Sequence, residues 1–215
     1  MDEEQELEGY EESDEYVAMT SAELLDKLKE AWINERMAPE LLNSQDELVE
    51  CMIEQLDAME RNLKTGKRNP LVNSMHGLEM ERVRFLINSY IRCRLGKIEK
   101  YVIDVLQQHK ARGQEDLPLL SRAELEYARE YADGMENHLK STILKFLPTN
   151  LQNFDEAKEL PKPNKDKYVF IRVNDQQDQV LIDDDETTDL NKGARHIVRY
   201  SFIASLLSEG SVSLT

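Results

Sequence analysis

The residues that could carry chemistry do not assemble into a reactive set. The histidines His76, His109, His138 and His196 are scattered, with no HExxH pair and no cysteine at ligand spacing, so neither a metal centre nor a cofactor is expected. Gly66-Lys67-Arg68 and Gly96-Lys97-Ile98 lack the upstream glycine and the following Ser or Thr of a phosphate loop. There is no Gly-x-Ser-x-Gly elbow. The acid run Asp183-Asp184-Asp185-Glu186 offers oxygen ligands to a hard cation, yet it has neither the alternating ligands nor the central glycine of a calcium loop. A solvated hairpin connection is the other reading. The sequence is not expected to encode an enzyme.

What remains is the ionic and aromatic chemistry of one stretch, Met75 to Leu106, which contains no proline and reads as an uninterrupted helix. At 1.5 Å per residue it reaches roughly 48 Å. A globule of about 130 residues spans only some 35–40 Å, so a rod of this length needs companion rods or another chain. Advancing about 100° per residue from Val83, the side chains Val83, Leu86, Ile87, Tyr90, Ile91, Leu95, Ile98, Tyr101, Val102 and Val105 share one half of the circumference. Arg94 falls inside this apolar stripe and Phe85 nearly opposite to it. A guanidinium taken out of water needs a carboxylate, or it costs several kcal/mol. A wet phenyl ring forgoes about 1.5–3 kcal/mol of burial.

The basic residues Arg82, Arg84, Arg92, Arg94, Lys97 and Lys100 leave two alternatives: pairing with carboxylates of neighbouring helices or of a partner, or phosphate contact. Phosphate contact would make the chain a nucleic-acid-binding accessory module built on Arg82, Lys97 and Lys100 with the lysines near Lys64. Arg82 and Lys100 coincide on the wheel while Arg84, Arg92 and Arg94 point elsewhere, which disfavours one phosphate-binding stripe. The whole chain has 43 acidic and 27 basic residues, a net charge of −16, which excludes binding by bulk positive charge.

The 215 residues, 40% of them hydrophobic, suffice for one large or two small folded units. No apolar run reaches membrane-spanning length and the first residues are acidic, so no membrane contact and no leader peptide are expected. Cys51 and Cys93 lie on different predicted helices without CxxC spacing and read as reduced, partly buried thiols.

Residues 1–19 hold nine carboxylates and no basic side chain, which predicts a disordered acidic tail. Leu7, Tyr10, Tyr16 and Val17 interrupt it, either incidentally or as anchors for docking in a partner's groove. Thr20 with Glu23 forms a capping box opening a first helix that ends near Met37, before Pro39. A second is expected from Glu40 or Ser44 to Leu63. Pro70 begins the long helix, and Gln107 to Pro118 is a polar connection. Ser121 with Glu124 caps a fourth helix through Leu147. The predicted architecture for residues 20–147 is an antiparallel four-helix domain.

Residues 148–167, with Pro148, Pro161 and Pro163, read as a linker. Residues 168–215 read as a small β-rich domain with strands at Tyr168–Val173, Gln179–Asp183, Arg195–Tyr200 and Ser211–Leu214, and a helical turn or two over Ser201–Ser208. So small a unit has a marginal core and is expected to lean on something else.

Several segments resemble a known family. Glu23-Leu-Leu-Asp-Lys-Leu-Lys-Glu-Ala-Trp32, Met37-Ala-Pro-Glu-Leu-Leu42, Met80-Glu-Arg-Val-Arg-Phe85, Ser89-Tyr-Ile-Arg-Cys-Arg-Leu95 and Lys97-Ile-Glu-Lys100 are similar to GINS complex subunits of the Sld-five type. Pro148-Thr-Asn-Leu-Gln152, Pro161-Lys-Pro163 and Tyr168-Val-Phe-Ile-Arg-Val173 resemble that family's linker and second domain. The likeness runs over residues 20–215 and leaves out the acidic tail.

It implies a nuclear, non-catalytic scaffold in a heterotetramer with the other three GINS subunits. That assembly joins the minichromosome-maintenance ring and the Cdc-forty-five protein in the replicative helicase for initiation and elongation of chromosomal DNA replication. It also offers docking surfaces to replicative polymerases and a replisome adaptor, with DNA contact indirect or weak. Subunit contacts are then expected at Arg82, Arg84, Phe85, Tyr90, Arg92, Arg94 and Lys97 of the long helix, and at Tyr168, Phe170, Val212 and Leu214 of the small domain.

Overall fold

The structure, a computed structural model, describes residues 20–65, 69–113, 117–148, 161–183 and 186–215. The candidate tail anchors Leu7, Tyr10, Tyr16 and Val17, and most of the expected linker, lie outside these residues.

Helix α1, Ser21–Met37, opens on the expected capping box: the Thr20 hydroxyl accepts from the Glu23 N–H and the Glu23 carboxylate accepts from the Thr20 N–H. Helix α2 spans Asp46–Thr65, α3 Pro70–Ala111 and α4 Arg122–Thr142, followed by a 3-10 turn at Leu144–Phe146. The start of α2 is later than the sequence pattern suggests. Residues 41–45 are non-helical and bind elsewhere, with Leu41 buried and the Ser44 N–H donating to the Pro118 carbonyl. Helix α3 is longer than its apolar stripe, 42 residues or about 63 Å. It is not uninterrupted, because Tyr101 leaves helical geometry at φ −126°, ψ 30°. Asn69 caps its start by accepting from the Leu71 N–H, and Pro70 occupies the first turn, where its missing donor is harmless.

The helices do not enclose one core. Leu24 and Leu28 of α1 and Val49, Met52 and Leu56 of α2 pack on Met80, Val83, Leu86, Ile87 and Tyr90 of α3. A second cluster joins Leu41, Leu119, Leu120 and Ala128 of α4 to Ile98, Val102 and Val105 farther along the same rod. Arg94 lies on α3 between the two.

The small domain has strands β1 (Tyr168–Val173), β2 (Gln177–Asp183), β3 (Glu186–Leu190), β4 (Arg195–Arg199) and β5 (Val212–Leu214), with helix α5 at Tyr200–Ser208. β1 is central, antiparallel to β4 on one side and to β5 on the other, while β2 and β3 form a separate hairpin. β3 had no counterpart in the sequence pattern, since Glu-Thr-Thr-Asp-Leu offers β-branched threonines but a single strong hydrophobe. The alternation in β1 buries Val169, Ile171 and Val173, against Val198, Tyr200, Ile203, Val212 and Leu214.

The support this core needs comes from the same chain. Ala38, just past α1, is buried within it, the Leu214 N–H donates to Asn34 Oδ1 at 2.7 Å, and Lys165 pairs with Glu40 at 2.5 Å. Among the described residues, no helix is long and apolar enough to cross a membrane.

Candidate docking surfaces

Two of the cations of α3, Arg94 and Lys97, are directed inward. Arg94 and Glu35 are each 1% exposed. The Arg94 guanidinium donates through Nε and Nη2 to both oxygens of Glu124 (2.7 and 2.8 Å), through Nη1 to Glu35 Oε2 (3.1 Å) and the Leu42 carbonyl (2.8 Å), and through Nη2 to the Leu119 carbonyl (2.8 Å). All five N–H donors are used. Lys97 donates to the Glu35 carbonyl, to Glu35 Oε1 at 2.6 Å and to the Glu40 carbonyl at 2.7 Å. Two cations and two carboxylates balance.

Burial alone would discourage the charge on Arg94. The bidentate Glu124 carboxylate, with Glu35 behind it, reverses that and holds the guanidinium protonated above its ordinary range. Tyr90, with the Arg94 guanidinium 5.7 Å from its ring centroid, is pushed up to about 12, by burial first. The cluster ties α1, α3, α4 and both intervening loops together between the two apolar cores.

Several residues expected at subunit contacts are thus used inside the chain. Arg94, Tyr90, Val212 and Leu214 are buried, and Lys97 has all three protons engaged, so none of them presents a free side chain to a partner. Arg84 pairs with Glu81 at 2.6 Å and Glu60 at 2.9 Å, and Arg82 reaches Glu79 at 4.0 Å. The long-helix cations mostly face carboxylates and form no phosphate-binding stripe. Arg92, Phe85, Tyr168 and Phe170 remain exposed.

Phe85 is not alone. Leu71, Met75, Leu78 and Phe85 are 62–71% exposed. With Arg82 between them, they repeat at intervals of four and three residues and occupy about 80° of the wheel at 100° per residue. Leu71, Met75 and Leu78 were not singled out from sequence, although the seven-residue spacing of Leu71, Leu78 and Phe85 is the signal of a helix seam.

A second open face lies on the small domain. In β1 and β4 the outward residues stand opposite one another as Tyr168 with Arg199, Phe170 with Ile197, and Arg172 with Arg195. Arg199 donates from Nε to the Tyr168 hydroxyl and stacks over the Tyr168 and Phe202 rings at 5.9 Å.

Fold and surfaces define a class: a helical domain backed by one long rod, carrying a small β-rich domain and displaying apolar side chains outward. Residues 52–143 match the GINS complex protein helical bundle domain, and residues 163–214 match the DNA replication complex GINS protein SLD5 C-terminus. The chain is 46% identical over 206 residues to the DNA replication complex GINS protein SLD5 of Homo sapiens, covering 93% of this chain and 92% of that one. Against the protein of the same name from Rattus norvegicus it is 44% identical over the full length of both. For that of Dictyostelium discoideum the figures are 30% identity over 89% of this chain and 91% of the relative. The chain belongs to the SLD5 family of GINS DNA replication proteins.

Proposed function

We propose that this chain is a non-catalytic, nuclear scaffold subunit that assembles with three other GINS subunits and, through that heterotetramer, helps hold the minichromosome-maintenance ring and the Cdc-forty-five protein together in the replicative helicase. The observation that carries this reading is the exposed seam Leu71–Met75–Leu78–Phe85. It runs for about 21 Å along α3, and an apolar stripe interrupted by Arg82 alone on a rod of this length marks a helix-packing surface for another chain. The relatives are named as members of a replication complex, which supplies the sister subunits as its occupants. Replicative polymerases and an adaptor would dock on the assembled complex, the adaptor through the acidic tail carrying Leu7, Tyr10, Tyr16 and Val17.

The test is co-expression with the three sister subunits and co-purification, comparing the native chain with Leu78→Asp and Phe85→Asp. Both variants are expected to keep the native melting behaviour, because the side chains are exposed, and to lose the sisters. Sisters retained at native stoichiometry in both variants would refute the seam as the subunit contact.

A further inference from the structure

We propose that the outward face of the β1–β4 sheet is a binding platform for single-stranded DNA. This rests on the reading of the chain as a replication subunit and adds a ligand to it. Tyr168 and Phe170 project from the same strand two residues apart, about 6.6–6.8 Å at strand rise, and with Ile197 opposite Phe170 they are 56–61% exposed. Two rings so spaced on one face of a sheet suit stacking by successive unpaired bases, a contact that tolerates any sequence because every base has a π-face.

Charge frames the rings at both ends. Arg199 lies beside Tyr168, and Arg172 stands directly across from Arg195 beyond Phe170. Two guanidiniums at a cross-strand position, with Cβ atoms about 4.5–5.5 Å apart, repel each other. Among the described residues neither has a carboxylate at ion-pair distance, although Arg84, Arg94 and Lys97 all do. In a chain of net charge −16, an unneutralised cationic pair beside exposed aromatic residues calls for an anion with flat apolar groups. A polynucleotide strand supplies both, whereas an acidic peptide supplies the charge without regularly spaced rings.

The experiment uses the complex co-purified with its sister subunits and a labelled oligothymidylate of roughly 12 nucleotides, read by fluorescence anisotropy. Tyr168→Ala and Phe170→Ala should each weaken binding roughly 5- to 100-fold. Arg172→Gln with Arg195→Gln should make the salt dependence shallower by about 1.4 in log–log slope. An abasic strand of equal length should bind more weakly than the oligothymidylate, and the ring variants should not affect its binding.

The proposal falls if the complex does not bind, if the variants bind as the native complex does, or if polyglutamate or the abasic strand binds equally well. It also falls if the ring variants fold but lose the sister subunits, which would make this face a subunit contact. Assembly is read separately by co-purification, so a failure of DNA binding leaves the scaffold reading standing.

Discussion

Arginine occupies two opposite situations in this molecule. At the junction of the helical cores, Arg94 is buried and every donor has an acceptor. On the sheet of the small domain, Arg172 and Arg195 are exposed and face each other. Composition cannot distinguish these roles. The buried guanidinium organises its own chain, because leaving water demands that all its partners be internal. The exposed pair is set against like charge, which disfavours the fold slightly and leaves both guanidiniums open to something outside it. The same contrast separates Tyr90, enclosed beneath Arg94, from Tyr168 and Phe170.

The sharpest test of that contrast is Arg94→Met. It keeps the helix propensity and much of the volume but leaves Glu124 without its cation and Glu35 with Lys97 alone. A loss of about 3–5 kcal/mol in urea unfolding is expected. A change of a few tenths would mean that the cluster is hydrated and that the two regions do not differ.

The next test uses pH. Because Tyr90 titrates near 12 in the folded chain and near 10 when unfolded, the folded state holds its proton longer. The stabilisation is full below pH 10 and is lost as pH rises through about 12. Over that window the native chain should lose on the order of 2–3 kcal/mol more than Tyr90→Phe. Tyr200 is also raised, by burial and then by Glu40, but it is common to both chains, so the difference between their alkaline unfolding curves isolates Tyr90. Identical curves would place Tyr90 in water.

Much of this was legible beforehand. The caps at Thr20 and Ser121, the α3 stripe and the alternation in β1 are local signals, set by hydrogen-bond geometry and side-chain period. Arg94 advertised its need for a carboxylate by its position on the wheel. Glu35 was legible in principle, since it lies seven residues after Leu28 on the buried face of α1. Glu124 was concealed by its own cap, where its carboxylate accepts from the Ser121 N–H while also gripping Arg94.

The Leu42 and Leu119 carbonyls could not be read at all, because backbone acceptors in loops carry no residue-type signature. The seam from Leu71 to Phe85 did carry a signal in its spacing, but it begins before Met75 and lies on the side of the helix away from the Val83 stripe. The pairing of Arg172 with Arg195 required strand register, which depends on residues more than 20 positions apart.

The smallest expected effect has the opposite sign. Arg195→Thr removes one of two like charges from a cross-strand pair and substitutes a β-branched residue suited to a strand. If the face is unneutralised in the free protein, the variant should be more stable by about 0.2–1 kcal/mol in low salt. The gain should shrink as added salt screens the repulsion that the native pair feels. A destabilised variant, or a gain indifferent to salt, would show that Arg195 already has an internal partner. In that case the sheet arginines would belong with Arg94 as structural cations, and the distinction between the two regions would fail where it is drawn most finely.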